Sequence, residues 1–201
     1  MSPKQVDRAA RRQKVLDAAV RVFARKGFAA ARIEDVATEA GIGKGSVYLE
    51  FGSREELLGA AFEAYADRSA AVLRQAAEGS GPALDRLAAL VDAVVELLAG
   101  EPDRARIVLD VWAVSRDGTT CPIDMAGVYR AHRAAITALL REAAAEGTVR
   151  AGVGERHAAV IVGAIEGCLL QWLLDPRVPL AELAAPLTEM CLEGLRPKEA
   201  A

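Results

Sequence analysis

Apolar residues recur every three or four positions along most of this chain, with charged residues between them, which is the pattern of amphipathic helices and not of strands. Val15, Leu16, Ala19, Val22 and Phe23 form a first helical stripe, stopped at Gly27 after Arg25 and Lys26. The stretch from Ile33 to Phe51 then predicts two short helices around a turn. Val36 and Ala40 make the apolar edge of one, Ala37 is small enough for close crossing, Gly41 supplies a left-handed turn and Ile42 folds back. Lys44 to about Phe51 makes the other. Val47 and Phe51 lie four apart and face inward, which turns Lys44, Gly45, Ser46 and Tyr48 outward. That is a helix-turn-helix, a unit that places its second helix in the DNA major groove.

Ser53 and Glu56 read as a capping box that opens a long helix, from Arg54 to about Ala77. Beyond the Gly79-Ser80-Gly81 loop, Pro82 opens a helix striped by Leu84, Leu87, Leu90, Val91, Val94 and Leu98 until Gly100. Asp103 is expected to cap a helix from Arg104 to about Arg116. A long helix ends at Glu146, another runs from about Glu155 to Leu174, and the last spans Leu180 to Leu195. The expectation is all-α, with a helix-turn-helix domain over 1–53 and a six-helix domain over 54–201.

The penultimate helix is apolar around most of its circumference, from Ala158 through Ile161, Ile165 and Leu169 to Trp172 and Leu174. A surface helix would not tolerate this, so it must be covered on two sides. It is either the central helix of a monomer or one shared with a second copy, the final helix adding Leu183, Leu187, Met190 and Cys191.

The helix-turn-helix with its Gly45-Ser46-Val47-Tyr48 run, followed by Phe51-Gly52-Ser53-Arg54-Glu55-Glu56-Leu57, resembles the N-terminal domain of the TetR family of bacterial transcriptional regulators over residues 10 to 60. Around Trp112 and over Gly167 to Pro176 the chain is similar to regulators with a BetI-like C-terminal domain. The resemblance implies nine helices, a two-fold four-helix interface and a ligand pocket in the second domain. Ile165, Leu169, Trp172, Leu183, Leu187 and Met190 are then the interface candidates. DNA geometry agrees, because two half-sites need two recognition helices about 34 Å apart. Arg32, Lys44, Gly45, Ser46, Tyr48 and Arg54 are the candidate DNA contacts. Three departures stand out. Ala31 and Arg32 replace the family's hydroxyl residues before the second helix, Gly43 replaces a capping Ser, and Glu50 puts an acid where the family often has His. The acid at that helix end implies an altered affinity or operator.

Charge becomes informative once divided. The chain carries −3 overall, but residues 1–55 hold 11 Lys or Arg against 7 Asp or Glu, hence +4, which leaves −7 on 56–201. A positive first part suits phosphate, and an acidic remainder is repelled by it and orients the protein. No signal peptide or uninterrupted apolar run of about 18 residues is evident, so a cytoplasmic protein without a membrane partner is expected. Cys121, Cys168 and Cys191 lack metal-ligand spacing, and no metal or cofactor is expected. Gly41 to Ser46 only superficially matches a phosphate-binding loop, since Thr38 and Gly45 stand where it needs Gly and Ser or Thr. With His132 and His157 the only histidines and no nucleophile turn, no catalytic residues are expected and an enzyme is disfavoured. A redox-responsive regulator acting through Cys121 is the livelier alternative.

The ligand candidates are Phe62 and Tyr65 on the long connecting helix, Trp112, Tyr129, His132 and Glu166. Aromatics with a few polar groups suit a small-molecule cavity, while for Phe62 and Trp112 plain core packing is the competing reading. The sequence thus points to a homodimeric repressor of a palindromic operator on double-stranded DNA. A small apolar effector releases it, neutral or cationic given the acidic domain, and the helix from Arg54 carries the signal.

Overall fold

The computed structural model describes residues 3–116 and 124–197. Nine α-helices lie among them: α1 (Pro3–Lys26), α2 (Ile33–Ala40), α3 (Lys44–Glu50), α4 (Arg54–Glu78), α5 (Ala83–Gly100), α6 (Pro102–Arg116), α7 (Met125–Ala145), α8 (Glu155–Leu174) and α9 (Ala184–Glu193). A 3-10 turn, Leu180–Leu183, precedes α9, and no strand occurs among the described residues.

Two helix boundaries differ from expectation, each for a proline. Helix α6 starts at Pro102, whose missing N–H costs nothing in a first turn, and the Glu101 carbonyl accepts the Ala105 N–H. Asp103 instead pairs with Arg106 at 3.2 Å. Pro186 cannot donate back to Glu182, so the last helix divides into the 3-10 turn and α9.

The described residues form two compact units, one within Met1–Ala66 and Glu101–Met125, the other within Asp67–Gly100 and Ala126–Ala201. Compactness therefore groups α6 with the helix-turn-helix and divides α4 between the units, whereas the expected functional boundary lies at 53/54.

In the first unit α1 packs on α2 and α6, and α2 on α3. Val15, Phe23, Val36, Val47 and Phe51 are buried together with Leu57. Gly27 and Gly41 end α1 and α2 at φ of 71° and 64°, the left-handed region that favours glycine. Arg104 fastens α6 to α1 through Asp17 at 3.4 Å, and the Asp110 carboxylate accepts the Phe28 N–H.

In the second unit α5, α8 and α9 pack on one another. Arg86 donates to the Ala76 and Ala77 carbonyls at 2.9 Å each and pairs with Glu142 at 2.7 Å, which holds the end of α4. The Glu146 carboxylate accepts the Ala83 N–H at 3.1 Å, so a side chain just beyond α7 caps α5. By length and average composition α8 also meets the requirement of a membrane span, which an uninterrupted-run criterion misses because Glu166 breaks the run. Ala158, Ile161, Ile165 and Leu169 are instead buried in this unit.

Candidate nucleic-acid interface and ligand site

Helix α3 is held by its inward pair and offers the rest to solvent. Val47 and Phe51 are fully buried, while Lys44, Gly45, Tyr48 and Leu49 are exposed and Ser46 half-exposed. Leu49, 80% exposed, is the residue the sequence reading passed over. An exposed leucine on this face has no packing role in the domain, and that was its signal.

Glu50 does not face outward. Its side chain is 5% exposed and receives Arg8 at 3.3 Å and Arg11 at 3.5 Å, while Arg12 donates to its backbone carbonyl at 3.0 Å and lies 4.2 Å over the Phe51 ring. The acid expected to disturb the DNA surface is consumed in fastening α3 to α1. Arg54 is likewise occupied within the domain. Its guanidinium stacks 4.3 Å over Phe28 and donates to the Ala31 carbonyl at 2.9 Å, closing the loop between α1 and α2.

The side-chain cap is missing at α2, as the lost hydroxyl implies, and only the reciprocal half of a capping box is made. Asp35 accepts the Arg32 N–H at 3.0 Å and pairs with Lys26 at 2.7 Å, which leaves the Arg32 side chain exposed. Lys44 donates to Glu34, an interaction that holds the Glu34 carboxyl below its ordinary range and the Lys44 ammonium above its own. Ser53 and Glu56 make the predicted box in a shifted form. The Ser53 hydroxyl accepts the Glu56 N–H at 3.0 Å, and the Glu56 carboxylate accepts the N–H of Gly52.

The ligand candidates fall into two groups. In the first unit Phe62 is buried beside Tyr65, their ring centroids 6.1 Å apart, and Trp112 is half-buried on α6. In the second unit α7 and α8 bring Tyr129, His132 and Glu166 into one polar cluster. His132 Nε2 shares a hydrogen bond with the buried Ser69 hydroxyl at 3.0 Å, and the Tyr129 ring meets the His132 ring edge-on at 6.3 Å. Burial pushes the His132 pKa down, so the imidazole is neutral at neutral pH. Burial raises the Glu166 carboxyl, against the opposing effects of the Tyr129 hydroxyl that donates to it and of the Arg133 charge.

That balance makes a pH-dependent prediction. A raised folded pKa means the carboxyl opposes folding once it ionises, a cost that appears above the unfolded carboxylate value and grows as pH rises through the folded one. Glu166→Gln is therefore expected to raise Tm at pH 7 and to match the native chain below about pH 4. Thermal melts across that range test it, and a lowered Tm at pH 7 would mean that Arg133 and Tyr129 need the charge.

No group of three or more side chains able to hold a metal occurs among the described residues. Burial raises the thiols of Cys168 and Cys191, the wrong direction for a reactive thiolate, and Cys121 lies outside the described residues.

The outer surface of α8 has a regular pattern. Val160, Gly163, Gly167, Leu170 and Leu174 alternate steps of three and four, the spacing of a helix–helix seam, and Val160 and Leu174 are 68% and 75% exposed. A Cβ added at Gly163 or Gly167 would meet no atom within 4 Å. Neither glycine is demanded by its own chain, although each weakens the helix by about 1 kcal/mol relative to Ala. On α9 Met190 is 81% exposed. Of the interface candidates, Ile165, Leu169 and Leu187 are buried inside the unit, Trp172 and Leu183 are half-buried, and Met190 faces outward. The unpartnered face of α8 is thus turned from the one the candidates marked.

Comparison with known proteins agrees with a helix-turn-helix domain followed by a helical C-terminal region. The family profile of bacterial regulatory proteins of the tetR family matches residues 15–61, and that of the BetI-type transcriptional repressor C-terminal region matches 83–196. The fatty acid metabolism regulator protein of Bacillus subtilis (strain 168) is 22% identical over 186 residues, 92% of this chain and 95% of its own. The crystal structure of the transcriptional regulator FadR from Bacillus subtilis in complex with stearoyl-CoA superposes with a TM-score of 0.78 at 20% identity, over 92% of this chain and 99% of that one. The fatty acid degradation regulator FadR from Bacillus halodurans gives 0.79 at 23%, over 98% and 99%. The chain therefore belongs to the TetR family of bacterial regulatory proteins, as a DNA-binding transcriptional repressor with a BetI-type C-terminal region.

Proposed function

We propose that the chain acts in the cytoplasm as a homodimer whose two α3 helices read successive major grooves of a palindromic operator, and that a small molecule of the fatty acyl thioester class releases it. The carrying observation is α3 itself, pinned by Val47, Phe51 and the Glu50 ion pairs, with Lys44, Gly45, Tyr48 and Leu49 exposed and Ser46 half-exposed. Ser46 and Tyr48 present hydroxyls to phosphates and base edges, Gly45 lets the backbone approach, Leu49 meets thymine methyl groups, and Lys44 and Arg32 take phosphates. Arg54 supports the surface from behind. The seam on α8, with Met190 on α9, supports the dimer.

Because Lys44 is paired with Glu34 in the free protein, the carboxylate competes with phosphate for it. Glu34→Gln is expected to tighten binding to all DNA sequences and to steepen its salt dependence by up to about one unit of slope. Anisotropy titrations from 50 to 200 mM salt, a range chosen from the general behaviour of such slopes, check this. Unchanged slopes would take Lys44 off the phosphate backbone.

Effector recognition is assigned to the Tyr129, His132 and Glu166 cluster with Ser69. Signal transfer is assigned to α4, which belongs to both units, and to α6, which Arg104 and Asp110 fasten to the helix-turn-helix. The relative solved with stearoyl-CoA supports a ligand with a long apolar chain. Its phosphates make that ligand anionic, against the neutral or cationic preference drawn from net charge. Mobility shifts with DNA from upstream of the chain's own gene test the reading. Stearoyl-CoA is expected to raise the Kd for DNA at least tenfold. No change with acyl thioesters of any chain length would remove the effector assignment and leave the repressor.

A further inference from the structure

We infer that the groove between α7 and the first turn of α8 binds phosphate groups, and, resting on the acyl thioester reading above, that it seats the phosphate-bearing head of the effector. The groove holds about 330 Å³ and is lined by Arg130, Arg133, Ala134, Thr137, Arg141 and Glu155. That volume is at the lower end of small-molecule sites. Each of the α7 residues has another three or four positions away, so they occupy one face of the helix. Arg130, Arg133 and Arg141 bring three guanidinium groups to a lining with one carboxylate, Glu155, in the part of the chain, residues 56–201, that carries −7, and Arg133 also acts on Glu166. An oxyanion seated between guanidinium groups takes charge-assisted hydrogen bonds from them. Glu155, the one carboxylate of the lining, opposes an anion.

Thr137 is the second observation. It is 5% exposed, lines the groove, and its hydroxyl has no hydrogen-bond partner among the described residues. A buried hydroxyl without a partner costs stability, and a phosphate oxygen in the groove is the acceptor it is suited to. Arg133 links the groove to the proposed effector cluster, because its charge acts on Glu166. A ligand with its polar end at Arg133, Thr137 and Arg141 therefore reaches the Tyr129 and Glu166 pair without leaving the unit. Local charge here outweighs the net charge of the domain, on which the preference for a neutral or cationic ligand rested.

Titration calorimetry and thermal shift with pyrophosphate and with coenzyme A, each without an acyl chain, test the site. The native chain is expected to bind both probes, coenzyme A more tightly because it carries an additional phosphate. Arg141→Glu is expected to weaken both at least tenfold. Thr137→Val is expected to raise Tm without ligand and to weaken pyrophosphate several-fold, a pair of changes that a purely structural role would not produce. Should Arg141→Glu fold poorly, Arg141→Gln serves in its place with a smaller loss. Absence of binding by the native chain, or equal binding by all variants, overturns the site, as does a shift of the monomer–dimer equilibrium with probe affinity unchanged. Stearoyl-CoA releasing DNA equally from Arg141→Glu and the native protein would overturn the groove but leave the effector reading. Coenzyme A binding in the groove without DNA release by any acyl thioester would do the reverse.

Discussion

Replacing Gly167 by Leu is expected to leave the protomer folded, stabilise α8 by up to about 1 kcal/mol, and yet abolish the dimer at micromolar concentration. The two halves of this result come from different surroundings. Within the protomer a side chain at position 167 enters open space, so the helix gains propensity with no clash. In a two-fold interface each substituted position meets its symmetry mate or the facing Gly163, where the glycines allow close approach, and overpacking costs about 1–3 kcal/mol at each of two equivalent sites. Operator affinity falls with the dimer, since one recognition helix reads one half-site. Sedimentation with circular dichroism separates the effects. A Gly167→Leu protein that remains dimeric would remove α8 from the interface. Ile165→Asp would not serve, because Ile165 is buried in its own unit and a carboxylate there unfolds the protomer.

Phe51→Ala is expected to cost about 3–5 kcal/mol and to eliminate operator binding, because the ring is 1% exposed and serves as the floor for α3. Its loss also removes the surface on which Arg12 stacks, loosening the end of α3 from α1. The seam on α8 is untouched, so the variant should still sediment as a dimer. Tyr48→Ala is the control, since an exposed ring can be deleted with little change in Tm. Calorimetry distinguishes them. Equal Tm values for Phe51→Ala and the native chain would mean that α3 is held by something other than its inward pair.

What could be read from the sequence was local. Gly27, Gly41, the Val47 and Phe51 pair and the Ser53 to Glu56 cap all act within a few residues, where periodicity and glycine conformation decide the structure. Interactions across tens of residues were not legible. Glu50 finds Arg8 and Arg11 on α1, Arg54 finds Phe28, and Glu146 caps α5 from just beyond the end of α7. No spacing rule anticipates such partners, so Glu50 and Arg54 were read as surface groups. Helix α8 failed differently. A helix apolar all round announces that it is covered on two sides but not which side faces its own core, and Ile165, Leu169 and Leu187 turned inward. Gly163 and Gly167 are the positions on this helix that nothing in the protomer requires. Pro186 was legible too, and its effect on the last helix follows from one absent donor.

Protection footprinting on DNA upstream of the chain's own gene tests the central claim most directly, with the native chain and Tyr48→Ala compared at equal concentration. Two protected half-sites centred one helical turn apart, about 34 Å, are predicted for the native protein, with protection lost in Tyr48→Ala. Protection that survives Tyr48→Ala, Ser46→Ala and Leu49→Ala unchanged, or a single site without a symmetric partner, would contradict a dimeric repressor that reads its operator through α3.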